Sequence, residues 1–180
     1  MPRAGTHKYR SSLIIGGTGM LGDASRWIAD RSEQTVLLSR TVADSPLASH
    51  PRITALAADW TQSDKMMRSL DDCVEDWQRI DLALIWMHRT GDDALQQVMQ
   101  RLSDTTALVV HVQGSQALST LPKNPPEATP LGTARLITVI LGAVRENHAS
   151  RWLTWEEIST HVISAIRQKQ SLIAGTLQGN

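Results

Sequence analysis

The sequence predicts an α/β domain, a doubly wound parallel sheet of about six strands with helices on both faces. Three observations lead there. Short apolar runs alternate with segments whose apolar residues recur every three or four positions, the pattern of successive β-α units. The run Leu82–Trp86 is apolar without a break, as expected of a strand covered on both faces. The first apolar run ends in a glycine cluster with a helical pattern directly behind it.

Taken in order, residues 1–10 are polar and basic and are expected to form a flexible lead, leaving 11–180 as a single domain. Ser12–Ile15 reads as the first strand. Leu21, Ala24 and Ile28 share a helical face that ends near Asp30. Thr35–Leu38 is the second strand, followed by a polar loop with Pro46 and Pro51. Ile53–Ala57 is the third strand. Met67, Leu70, Val74 and Trp77 lie on one helical face, and Leu82–Trp86 is the fourth strand. Leu95, Val98, Met99 and Leu102 give the cleanest helical stripe, followed by Thr106–Val112 as the fifth strand. Four prolines between residues 113 and 134 (Pro122, Pro125, Pro126, Pro130) argue against a long helix there. Leu136–Leu141 is the sixth strand. The last helix announces its start: Thr154 and Glu157 are spaced as a capping box, with Leu153 and Ile158 placed to form a hydrophobic staple.

Composition limits the function classes. The 180 residues carry 18 basic and 18 acidic side chains, so net charge gives no argument for nucleic acid or an anionic membrane. No apolar run approaches the ~18 residues of a membrane span, and none of signal-peptide length follows the basic start. A single cysteine, Cys73, fits a reducing compartment, so a cytoplasmic protein acting on a small molecule is expected. The chain has one tyrosine, Tyr9, and six tryptophans.

The glycine cluster reads Gly16-Gly17-Thr18-Gly19-Met20-Leu21-Gly22 and satisfies G-x-G-x-x-G from Gly17 and G-x-x-G-x-x-G from Gly16. Between a strand and a helix, this pattern allows a sharp turn, a close backbone approach to a pyrophosphate, and tight helix–strand packing. The helix N-terminus adds free N–H groups and partial positive charge. The run Ile14–Gly22 resembles the cofactor loop of the short-chain dehydrogenases/reductases, above all their extended and atypical branches. The resemblance implies a Rossmann-like fold, an NAD(P)(H) cofactor on residues 16–22, and Asp59 beside the adenine; Trp60 and Trp86 are further cofactor-binding candidates. A turn aspartate is the alternative for Asp59. Where NAD-selective domains place a carboxylate after the second strand, this chain has Ser39-Arg40, which predicts NADP(H) over NAD(H).

The departures from that family are equally informative. Its chemistry uses a Tyr-x-x-x-Lys pair, and no tyrosine follows Tyr9. Its Asn-Ala-Gly-like segment is replaced by Met87-His88-Arg89-Thr90-Gly91, while Gln113-Gly114-Ser115 stands where the family's active-site serine emerges. The chain resembles an abridged member. The strand ends that face a ligand in such sheets include Trp86, His88, His111 and Ser115. His88, His111 or Ser115 are therefore the candidate catalytic groups, a histidine being a natural proton donor near neutral pH; a sheet-end histidine and a loop histidine are the alternatives. His7, His50, His88, His111, His148 and His161 show no zinc spacing, so no metal is expected. Trp152 and Trp155 have three readings: closure over a ligand, a homodimer contact, or packing beneath the helix, which is the expectation. Three functions follow: a reductase of a C=N, C=C or C=O substrate lacking the usual tyrosine, a non-catalytic NADP(H)-binding sensor or scaffold, and a non-redox enzyme on the same fold.

Overall fold

The computed structural model describes residues 8–118, 120–146 and 149–177. His7, His148 and most of the expected lead lie outside them. Strand β1 (Tyr9–Ile15) leads through the glycine cluster into α1 (Gly22–Ala29), β2 (Ser32–Ser39) and β3 (Ile53–Ala57). Then come α2 (Ser63–Cys73), β4 (Ile80–Ile85), α3 (Asp92–Ser103) and β5 (Leu108–Gly114). The last third holds β6 (Thr129–Leu131), β7 (Ala134–Leu141), a hairpin of β8 (Ala143–Glu146) and β9 (Ala149–Trp152), α4 (Trp155–Gln168) and β10 (Leu172–Ala174).

The main sheet runs β10-β7-β5-β4-β1-β2-β3, all parallel, with β6 antiparallel on β7. Eight strands replace the expected six or so: β6 and β10 are three residues each, too short for a pattern to announce them. The first strand starts at Tyr9, so the end of the expected lead belongs to the sheet, with Tyr9 paired to Ser32. Tyr9 is buried there.

Alternation along each strand feeds two cores. Ile14, Leu37, Leu84, Val110 and Val139 face α1 and α4, where Ile28, Ile158, Val162 and Ile166 meet them. Leu13, Val36, Ile85 and Val109 face α2 and α3, against Met67, Leu70, Val98 and Leu102. Each such side chain contributes roughly 1.5–3 kcal/mol of burial. Trp77 was expected on the face of α2, but the helix stops at Cys73. Asp76 then opens a separate 3₁₀ turn, its Oδ1 accepting from Gln78 N at 2.9 Å.

The capping box at α4 is complete. Thr154 Oγ1 accepts from Glu157 N at 3.2 Å, and Glu157 Oε2 accepts from Thr154 N at 2.8 Å. Leu153 and Ile158 are both buried, as the staple requires. Between β5 and β7 the described residues form only a 3₁₀ turn at Ser115–Ala117 and β6, with no α-helix.

Candidate functional site

The winding direction changes where β1 lies between β2 and β4, and the glycine loop caps β1 at that point. Its glycines do different work. Gly16 adopts φ +75°, and a Cβ there would sit 2.1 Å from the Trp86 carbonyl oxygen. At Gly17 a Cβ would meet Ser25 Oγ at 2.3 Å, so this residue lets α1 pack against the strand. A Cβ on Gly19 or Gly22 would meet nothing within 4 Å among the described residues. The fold itself thus requires Gly16 and Gly17, whereas Gly19 and Gly22 border open ground at the N-terminus of α1.

A residue the sequence did not reveal braces this loop. Ser159 of α4, 2 % exposed, accepts from Ala24 N at 3.2 Å and donates to the Met20 carbonyl at 3.2 Å. Leu21 is buried at the N-cap of α1, and Met20 reaches the neighbouring cavity.

On the β2 side, Thr18 Oγ1 and Ser39 Oγ are 3.1 Å apart, and the Arg40 guanidinium lies 5.4 Å from the Trp60 ring centroid. Asp59 accepts from Thr61 N at 2.9 Å and Thr61 Oγ1 at 2.8 Å, the geometry of a turn aspartate. Those bonds, with Arg40 nearby, hold its carboxyl below the usual range. Arg40, Asp59, Gln62 and Lys65 line a cleft of about 330 Å³. Trp60 is buried, packed beneath Gly91, where a Cβ would lie 2.8 Å from its Cδ1.

On the β4 and β5 side lies a larger cavity, about 740 Å³, into which His88, His111 and Ser115 all open. The sequence separates the two histidines; parallel pairing of β4 with β5, Ile85 opposite His111, brings them to one rim. His88 is exposed, with its ring centroid 6.2 Å from that of Trp60 and 5.5 Å from that of Trp86. Trp86 spans the floor: its Cδ1 is 3.3 Å from where a Gly16 Cβ would stand, and its Cη2 3.8 Å from that of Gly114. Burial pushes His111 down to about 4, so its ring is neutral at pH 7. Gln113 Nε2 stands 3.0 Å from His111 Nδ1, which therefore accepts and leaves the ring proton on Nε2.

Trp152 and Trp155 line the same cavity and are 63 % and 67 % exposed, which overturns the expectation that they pack beneath α4. Leu153 and Ile158 fill that space instead. Among the described residues no group of three or more His, Cys, Asp or Glu could hold a metal ion, and no helix is long and apolar enough to cross a membrane.

The arrangement of strands, loop and helices recurs in solved structures. A short-chain dehydrogenase from Burkholderia cenocepacia J2315 in complex with NADP matches with a TM-score of 0.67 and 11% identity, over 96% of this chain and 90% of that one. The fold is that of the short-chain dehydrogenases/reductases. A short-chain dehydrogenase/reductase of unknown function from Caenorhabditis elegans, with cofactor, gives 0.64 and 11%, over 95% of both chains. A short-chain dehydrogenase/reductase from Burkholderia phymatum in complex with NAD gives 0.60 and 10%, over 94% and 90%. No family model and no curated protein matches the sequence. Set on the short-chain dehydrogenase/reductase frame, Tyr9 begins β1, at the opposite end of the sheet from the glycine loop. The rim therefore has no tyrosine, and the described residues between β5 and β7 form no α-helix of the kind that the resemblance would have carry one.

Proposed function

We propose that this protein binds NADP(H) across the glycine loop and reduces a small molecule held in the 740 Å³ cavity without a catalytic tyrosine. The observation that carries this reading is the division of labour among the glycines. Gly19 and Gly22 leave uncovered ground at the N-terminus of α1, where backbone N–H groups and the helix dipole favour phosphate. Ser39 can donate one hydrogen bond to a 2′-phosphate and Arg40 a charge-assisted fork, with Lys65 a second cation on the same cleft. Asp59 lies on the same cleft, Trp60 is buried behind Arg40, and Trp86 stands where the cofactor side meets the larger cavity.

The bound nicotinamide would supply a hydride. The chain's own part is polarisation and proton delivery. His111, neutral with its proton on Nε2, acts as a hydrogen-bond donor to the atom that gains negative charge, not as an imidazolium acid. His88, exposed at the mouth, is placed to supply the proton, with Ser115 as a further donor on the wall. Such a site suits a C=N or activated C=C substrate better than an unactivated ketone.

A thermal-shift series with NADPH, NADH and their oxidised forms tests the cofactor. Ligand at ~100 times its dissociation constant adds ~2.7 kcal/mol, about 5–10 °C for a chain of this size. No shift with any of the four rejects the reading. A second reading, a cofactor-binding sensor or scaffold, is favoured by the tyrosine-free rim. Binding without turnover across imine, enone and carbonyl panels would select it.

A further inference from the structure

The cavity beside the glycine loop has an unusual wall. Trp86 forms its floor, while Trp152 and Trp155 stand on its edge, and Met20, Met87 and Leu141 fill the ground between. Trp152 ends β9 and Trp155 starts α4, so only Leu153 and Thr154 separate them.

Both exposed indoles are carried on a braced backbone. The Thr154–Glu157 capping box fixes the turn between them. Arg151 forks onto Glu157, Nη1 to Oε2 and Nη2 to Oε1, each at 2.9 Å, and reaches Glu146 at 2.7 Å. Bidentate pairs of this kind give geometric specificity as well as energy. A braced backbone presents the two solvent-facing tryptophans from a fixed turn, and a tryptophan has only two side-chain torsions to order when it binds.

Charge narrows what that surface receives. The formally charged side chains on the cavity are Arg89 and Asp92, which oppose one another in sign. His111 is neutral at pH 7. Arg151, on the adjoining cleft, is already engaged by two carboxylates. Among the described lining residues the formal charges of Arg89 and Asp92 sum to zero, so the wall as a whole favours neither a carboxylate or phosphate nor an amine.

We propose that Trp86, Trp152 and Trp155 form a stacking site for an uncharged planar ring, which makes the substrate of the proposed reductase a neutral aromatic or heteroaromatic compound. This rests on the reading of the rim as a reductase site, but the binding claim is measurable without turnover. Offset or edge-on ring contacts and the apolar lining supply the affinity, and the hydrogen-bonding groups of His111, Ser115 and Gln113 orient one polar edge of the ring.

The test compares three bicyclic probes at pH 7.5: 2-naphthol, planar and neutral; 2-decalol, of similar size but saturated; and 2-naphthoate, planar and anionic. Calorimetric titration and tryptophan quenching are recorded with and without NADPH. The expected order places 2-naphthol about ten-fold or more ahead of the other two. Trp152→Ala and Trp155→Ala should each weaken it about ten-fold, Trp155→Phe much less, and the NADPH titration of all three variants should match that of the unmodified protein. Equal affinity for 2-decalol, tighter binding of 2-naphthoate, or alanine variants that bind 2-naphthol normally would overturn the proposal. So would a dimer in sedimentation velocity that Trp155→Ala dissociates while ring affinity is unchanged, since the tryptophans would then serve a second copy of the chain. If 2-naphthol binds as expected and NADPH does not bind at all, the stacking site stands and the reductase reading fails; NADPH binding with no ring preference gives the converse.

Discussion

At the scale of single residues, neighbouring glycines should respond in opposite ways. Gly19 has room for a side chain and no positive φ, so Gly19→Val should keep its melting temperature within a few degrees yet lose NADPH binding by fluorescence titration. Gly16→Ala places a Cβ against the Trp86 carbonyl at φ +75° and should lose at least ~1–2 kcal/mol of stability in urea unfolding. Arg40→Ala should weaken NADPH about 10- to 150-fold with little change for NADH, because bonds to charged groups contribute roughly 1.5–3 kcal/mol; equal titration midpoints for the two cofactors on the unmodified protein would make Arg40 an ordinary surface charge. His111 carries a pH signature. Its pKa is depressed from 6.5 to about 4 in the folded state, so the unfolded chain takes up a proton first as pH falls. The native state keeps its full advantage above about pH 6.5 and loses it progressively toward pH 4, by at most roughly 3 kcal/mol. Urea unfolding of His111→Gln at pH 5 and pH 7.5 should show a smaller stability difference between the two pH values than the unmodified protein.

At the scale of elements, the cap of α4 supports both the helix and the tryptophan wall. Thr154→Ala should cost about 1 kcal/mol in chemical unfolding. The Arg151 fork and the Thr154 amide hold the Glu157 carboxyl down to about 2, so this support is complete above the ordinary glutamate range and weakens as pH falls from there toward 2. The capping box was legible because it is local: four residues at fixed spacing carry it. Most of the longer strands of the main sheet were legible because burial on both faces leaves uninterrupted apolar runs such as Leu82–Ile85, whereas β3, at the sheet edge with no buried residue, was legible only as a short apolar stretch. The hairpin β8–β9 was not, since Ala-Val-Arg-Glu and Ala-Ser-Arg-Trp follow no apolar alternation and Arg151 braces the pair with ion pairs. The glycine loop could be read for the same reason as the cap. The cavity wall could not, because residues as far apart as Met20, His111 and Trp155 meet only after the sheet has formed. Ser159 gave no signal at all: a serine on the buried face of a helix declares its purpose only through its partners.

At the scale of the whole molecule, Tyr9 and the glycine loop lie at opposite ends of β1, so Tyr9→Phe should leave kcat and KM of any reductase activity unchanged. A large loss in steady-state turnover would mean that the tyrosine reaches the rim in some other arrangement. The two hydrogen bonds of Ser159 have a different consequence, one in time. Met20 leaves the ribosome well before Ser159, so its carbonyl waits for a partner 139 residues further along. Until α4 has been synthesised and has docked, α1 lacks the bond to its Ala24 amide and the loop lacks its brace, although every glycine is already in place. Nascent chains halted before residue 159 should therefore carry every glycine of the loop and still bind NADPH more weakly than chains in which α4 has emerged and docked.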